Sequence, residues 1–101
     1  MTHCTEFAVF EVKRENRERV LSLSETLFAE INQAQTNIIA HEILVNIENE
    51  QEVCWHLTWA SKAAVELSKT KWSSYASAAE LEGLVGNKLY YGHFVALLVK
   101  E

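Results

Sequence analysis

The sequence has no proline, and only 3 of its 101 residues are glycine. Flexible and extended linkers are rich in these residues, so their scarcity argues against a boundary between two domains. No low-complexity segment or internal repeat is visible either. A hydrophobic share of 49% excludes a disordered chain. We therefore predict a single domain over residues 1–101.

Positive charge is also scarce. The formal net charge is −5, and the longest basic run is the pair Lys13–Arg14. Proteins that bind nucleic acid or anionic membranes normally present a cluster of basic residues, so neither partner is expected. No apolar run reaches the roughly 18 residues needed to span a bilayer. Residues 1–6 do not resemble a signal peptide, and we expect a cytoplasmic location.

The chain has only two cysteines, Cys4 and Cys54, and their separation matches no zinc or redox motif. A disulfide between them is one possibility. A chain of this size can fold without one, so two free thiols in a reducing compartment are favoured. Neither a metal ion nor a cofactor is expected.

Hydrophobic periodicity in the first half of the chain predicts one helix among three strands. Residues 7–13 (FAVFEVK) have the β-branched and aromatic composition of a strand. Apolar residues at steps of three and four then predict an amphipathic helix over about 15–33. The apolar runs 38–47 and 53–59 are read as an antiparallel pair of strands, joined by a polar loop at 48–52.

The second half predicts a divided helical segment and a last strand. Ser61 is a plausible N-cap for a helix over 62 to about 75. The sequence at 77–80 (SAAE) matches a capping box, which predicts a second short helix ending near Gly83. Residues 89–99 (LYYGHFVALLV) are apolar almost throughout, which predicts a strand buried on both faces.

This order, β-α-β-β-α-β, is typical of an α+β, ferredoxin-like domain: a four-stranded antiparallel sheet with two helices on one face. The other face would be bare. In the first and last strands both sets of alternate residues are apolar, so this face would expose a patch larger than soluble proteins normally tolerate. We therefore predict a homodimer formed through the helix-free sheet face.

Residues Trp59–Val65 (WASKAAV) are similar to the W-x-S-K-x-A signature of the antibiotic-biosynthesis-monooxygenase-like group of the dimeric α/β-barrel superfamily. The resemblance implies a dimeric α/β barrel and a monooxygenase-like activity. Haem-degrading members carry an Asn on the first strand and a His in the second helix, and residues 6–12 and 62–83 contain neither. Quinone-forming members place an Asn ahead of the Trp, where this chain has Trp55.

The candidate site lies between the sheet and the second helix, where by resemblance this group binds its substrates. Alternate residues of the hairpin strands and two aromatic residues of the second helix could line a pocket there, and the candidates are Trp59, Trp55, His41, Trp72 and Tyr75. Trp59 is the strongest of them, with a partly exposed indole expected at the rim. The alternative is ordinary core packing, with the ring nitrogens bonded to backbone groups.

A second set of candidates is polar. His56 shares a strand face with Cys54 and, across the hairpin, with Glu42. These side chains could form a metal site or a Cys–His pair, but no element is placed to supply an oxyanion hole, so a polar cross-strand network is favoured. His93 could act as a base near neutral pH, although a structural hydrogen bond is the favoured role.

Two functions remain compatible with these residues. The first is a cofactor-independent monooxygenase-like protein acting on a small aromatic or quinone-type molecule. Such chemistry requires a substrate that itself forms a stabilised carbanion, so the protein mainly orients it and excludes water. The alternative is a non-catalytic small-molecule-binding or stress-response module of the same fold.

Overall fold

The computed structural model describes residues 2–100, which form one antiparallel sheet and three α-helices. The elements are β1 Cys4–Glu11, α1 Arg17–Ile31, β2 Ile38–Asn46, β3 Asn49–Trp59, α2 Lys62–Lys71, α3 Ala78–Leu84 and β4 Lys88–Val95. The strands lie in the order β2-β3-β1-β4, and every neighbouring pair is antiparallel. The predicted α+β ferredoxin-like fold is confirmed. The second helical segment is divided into α2 and α3, as its sequence indicated.

The two faces of the sheet differ sharply in burial. We call the face beneath the helices the helix-covered face; its β1 and β3 residues are Cys4, Glu6, Ala8, Phe10, Val53, Trp55, Leu57 and Trp59, all buried. The opposite, helix-free face carries Phe7, Val9, Glu42, Cys54, His56, Tyr90 and Phe94. The core therefore lies between α1–α3 and one set of alternate strand residues.

The hairpin between β2 and β3 is tighter than the sequence suggested. Residues 48–52 were expected to form a loop, but only Ile47 and Glu48 connect the strands. Asn46 explains the short turn: its Oδ1 accepts from the Glu48 amide at 2.9 Å, and its Nδ2 donates to Glu52 at 3.2 Å. An Asn side chain that bonds the backbone two residues on favours a turn. The polar residues therefore extend β3.

Helix starts were predicted with mixed success. The Ser61 N-cap is confirmed, since its Oγ accepts from the amide of the third residue of α2 at 3.1 Å. The capping box before α3 is wrong. The Ser77 hydroxyl and amide instead donate to Glu30 of α1, and Glu80 accepts two hydrogen bonds from Arg19 of α1. These longer-range partners hold α3 against α1.

Strand β4 is not buried on both faces in the protomer, although its apolar sequence predicted this. It lies at the edge of the sheet, where only β1 pairs with it, and it ends at Val95 rather than at residue 99. Tyr91 and Phe94 are about half exposed, and Leu97–Val99 beyond the strand are exposed. An uninterrupted apolar run therefore marks exposed surface of the protomer here.

The structure also shows the state of the two cysteines and bears on membrane helices and metal sites. Cys4 and Cys54 are free thiols, and they lie on opposite faces of the sheet. Within residues 2–100, no helix is long and apolar enough to cross a membrane. The same residues contain no group of three or more His, Cys, Asp or Glu side chains arranged to hold a metal ion.

Candidate functional site

A cavity of about 490 Å³ lies between the helix-covered face and the helices α2 and α3. Its volume falls within the range typical of pockets for small organic ligands. Most of the wall is apolar, and its aromatic side chains from the helix-covered face and the helices are Phe10, Phe28, Trp55, Trp59, Trp72 and Tyr91. A wall of this kind favours a flat, apolar ligand.

Trp55 anchors one part of this wall. Its Nε1 donates to the Ser24 hydroxyl of α1 at 3.1 Å. The rings of Phe28 and Phe10 pack edge-on against it, with centroid distances of 4.9 and 5.6 Å. Because these contacts fix the indole, this part of the cavity is preorganised without a ligand.

The polar centre of the cavity is Glu6, which is buried on β1. Its Oε1 accepts from Trp59 Nε1 at 3.0 Å and lies 2.9 Å from His93 Nε2. No described residue bonds its second oxygen, Oε2. Since Glu6 lines the cavity, Oε2 can accept a hydrogen bond from a ligand hydroxyl.

Burial raises the pKa of Glu6, because an ionised carboxylate loses hydration in an apolar site. The charge of His93 and the hydrogen bonds from Trp59 and His93 offset part of this rise. Burial, together with the charge of Glu6, also raises the pKa of Tyr91 to about 12. A carboxyl whose pKa is displaced toward neutrality in a cavity is suited to general acid–base chemistry.

The mouth of the cavity is charged. Lys88 of β4 pairs with Glu82 of α3 at 2.7 Å, and both residues line the cavity. Lys69 of α2 also lines it, with its ammonium 6.0 Å from the centroid of the Tyr91 ring. The mouth thus combines one neutralised ion pair with a further cation.

The structure brings together three of the five aromatic and His candidates: Trp55, Trp59 and Trp72 all line the cavity. His41 does not, because its ring packs against Phe28 at a centroid distance of 4.9 Å. Tyr75 lines a separate groove of about 440 Å³ beside the end of α1.

Trp59 was expected to have a partly exposed indole at the rim of the pocket. Instead it is only 4% exposed. The buried carboxylate of Glu6 accepts its N–H, so the indole needs no contact with water. Trp59 nevertheless lines the cavity.

The polar candidates separate onto the two faces. His56 and Glu42 form a pair on the helix-free face, with Nδ1 and Oε1 2.8 Å apart. The His56 ring stacks on Phe7 of the adjacent strand at 4.8 Å. This is the cross-strand network that the sequence favoured. His93 lies on the helix-covered face beside Glu6, away from that network.

Glu6 itself was missed by the sequence reading, which began the first strand at Phe7. The alternation of residues along β1 could have indicated that Glu6 is unusual. Glu6 has the same parity as Ala8, Phe10 and Val12, all of which are buried. An acidic residue within an apolar set of alternate strand positions is unusual, and it indicates either a partner or a function.

Comparison with known proteins supports the fold by structure alone. No family model and no curated protein matches the sequence. A variant of SnoaB, a cofactor-independent oxygenase from Streptomyces nogalater, superposes with a TM-score of 0.73 at 18% identity, covering 96% of this chain and 95% of that one. The fold is that of the antibiotic-biosynthesis-monooxygenase-like proteins.

Two further structures have the same fold. A candidate antibiotic biosynthesis monooxygenase from Bordetella bronchiseptica has a TM-score of 0.76 at 11% identity, covering 97% of this chain and all of that one. Rv0793 from Mycobacterium tuberculosis has a TM-score of 0.67 at 12% identity, covering 98% and 97%. At such low identities the likeness extends to the architecture and not to the chemistry.

Proposed function

We propose that this protein is a cofactor-independent monooxygenase-like enzyme that oxidises a small phenol-type aromatic molecule in the cavity beside Glu6. One observation carries the proposal: a buried carboxylate with an unbonded oxygen lines a cavity whose walls are mainly aromatic. The fold is shared with SnoaB, which is described as a cofactor-independent oxygenase.

The reaction can be written with 1-naphthol as the model substrate. Glu6 accepts the hydroxyl proton, and the resulting anion carries carbanion character at the ring carbon para to the oxygen. That carbon reduces O2 and bonds to one of its oxygen atoms. The peroxide takes up the proton, and the hydroperoxide then loses water to leave a second carbonyl. One naphthol and one O2 thus give one quinone and one water.

Each residue around Glu6 has a defined part in this scheme. Glu6 is the base, because it lines the cavity and its Oε2 has no hydrogen-bond partner among the described residues. Trp59 is a positioning residue whose N–H orients the carboxylate through Oε1. His93 bonds the same oxygen, and its side chain is 17% exposed, so it can exchange the proton with solvent. The apolar walls keep water from the anion.

Oxygen uptake in the presence of 1-naphthol tests the proposal. We expect uptake to match quinone formation one to one, and Glu6→Gln to lower the rate by at least tenfold, since general-base catalysis is typically worth about 10²–10⁴-fold. Glu42→Gln is the matched control, because Glu42 also pairs with a His but on the other face. Binding of naphthol without turnover would instead support the non-catalytic binding module.

We also propose that the protein is a homodimer through the helix-free face. Phe94, Tyr90 and Leu44 on this face are each between 42% and 48% exposed, which leaves a contiguous apolar surface in the protomer. Packing two such faces together would bury it. Sedimentation equilibrium should give twice the protomer mass of 11.5 kDa. A particle of protomer mass at micromolar concentration would contradict the dimer.

A further inference from the structure

We infer that the ligand of this cavity is an acidic aromatic molecule, with its hydroxyl at Glu6 and an anionic group, such as a carboxylate, at Lys69. This inference rests on the proposed function, because it places the ligand in the same cavity. It adds a specificity-determining residue at the mouth.

The charges lining the cavity single out Lys69. The four ionisable Lys and Glu residues of its wall are Glu6, Lys69, Glu82 and Lys88. Glu82 and Lys88 neutralise each other at 2.7 Å. Glu6 is bonded by Trp59 and His93. Lys69 has no carboxylate within ion-pair distance among residues 2–100, so it is the wall cation that a ligand anion could pair with.

Lys69 and Glu6 line the same cavity of about 490 Å³, so one ligand can contact both. The positive charge of Lys69 lowers the pKa of Glu6, which opposes the effect of burial. Tyr91 also lines the cavity; the Lys69 ammonium lies 6.0 Å from the centroid of its ring, and the charge of Glu6 contributes to its raised pKa. An aromatic ring that places its hydroxyl at Glu6 can therefore direct a substituent toward Lys69.

The helix dipole offers a simpler explanation for a lysine at position 69, and a second lysine in the same helical turn provides a control. Lys69 and Lys71 both lie in the last turn of α2, where cations interact favourably with the helix dipole. Lys71, however, lines the separate groove beside α1 and not the cavity. The two lysines thus form a matched pair: they share the helix position and exposure, and differ in contact with the cavity.

Calorimetric titration without oxygen tests the inference, using 1-naphthol and a set of hydroxynaphthoates that differ in the position of the carboxylate. We expect at least one hydroxynaphthoate to bind the wild-type protein about fivefold more tightly than naphthol, the upper range for an exposed ion pair. Lys69→Met should abolish this preference, so that naphthol and the hydroxynaphthoates bind the variant with similar affinity. Lys71→Met should retain it.

The outcomes separate this inference from the proposed function. If naphthol binds as tightly as every hydroxynaphthoate, or if Lys69→Met keeps the preference, the role of Lys69 is refuted while the cavity remains a phenol site. If neither class binds the wild-type protein, both proposals fail. A preference that also falls with added salt supports the ion pair, since screening weakens exposed charges.

Discussion

The two faces of the sheet each carry a Glu–His pair, and the pairs differ almost entirely in their surroundings. Glu6 and His93 are 2.9 Å apart on the helix-covered face, and Glu42 and His56 are 2.8 Å apart on the helix-free face. The Glu6 side chain is 5% exposed and that of Glu42 is 61% exposed. The same two residue types at nearly the same distance thus lie beside a buried cavity in one case and on an open surface in the other.

The two pairs therefore differ in burial and not in residue type. Loss of hydration raises the pKa of Glu6, and its free oxygen borders a cavity from which water can be excluded. Glu42 keeps much of its hydration in the protomer, where a surface ion pair contributes little. The exposed pair instead belongs to the face through which we propose that two protomers associate.

Among the substitutions that test this comparison, Trp59→Ala should destabilise the protein most, because it removes the indole beside the buried Glu6–His93 pair. The indole is buried and donates to Glu6, so its loss should lower the free energy of unfolding by about 3 kcal/mol. The cavity beside the ring places the cost at the low end of the usual range for Trp. Urea unfolding measures it. Trp59→Phe is the control for lost area, and a loss below about 1 kcal/mol for Trp59→Ala would contradict the packing.

Phe94→Asp tests the helix-free face. Phe94 is 47% exposed, so the protomer should lose little stability, whereas a charge placed within an apolar interface should weaken dimerisation at least tenfold. Sedimentation equilibrium over a dilution series measures the change. Leu21→Asp, on an exposed position of α1, is the control and should leave the association constant unchanged.

Glu6→Gln tests whether burial of Glu6 makes the stability of the protein depend on pH. Because folding raises the pKa of Glu6, this group stabilises the fold fully below pH 4.5 and loses that contribution as the pH rises through its folded value. The stability of Glu6→Gln relative to wild type should therefore increase between pH 4.5 and neutrality. Urea unfolding at several pH values measures it, with Glu42→Gln as the control. A flat difference for Glu6→Gln would refute the raised pKa.

Much of the fold could be predicted from local patterns. The α1 stripe, the Ser61 cap and the parity of the hairpin strands are each set by residues near in sequence, and each was predicted correctly. The errors share a physical cause. The turn at Ile47 depends on Asn46, and the side chains of Ser77 and Glu80 bond Glu30 and Arg19 of α1 instead of capping α3, so partners outside the recognised motif decided both.

By itself, the sequence determined the order of elements and which alternate residues share a face, because hydrophobic periodicity and capping act over a few positions. For β1, in which both sets of alternate residues are apolar, only the tertiary structure decided which set the helices cover. That choice buried Glu6 and brought it to His93, 87 residues away along the chain. It also left Glu42 and His56 in contact with solvent. The alternation of β1 marks Glu6 as an acidic residue among apolar ones, but the loss of hydration of its carboxylate depends on everything packed around it.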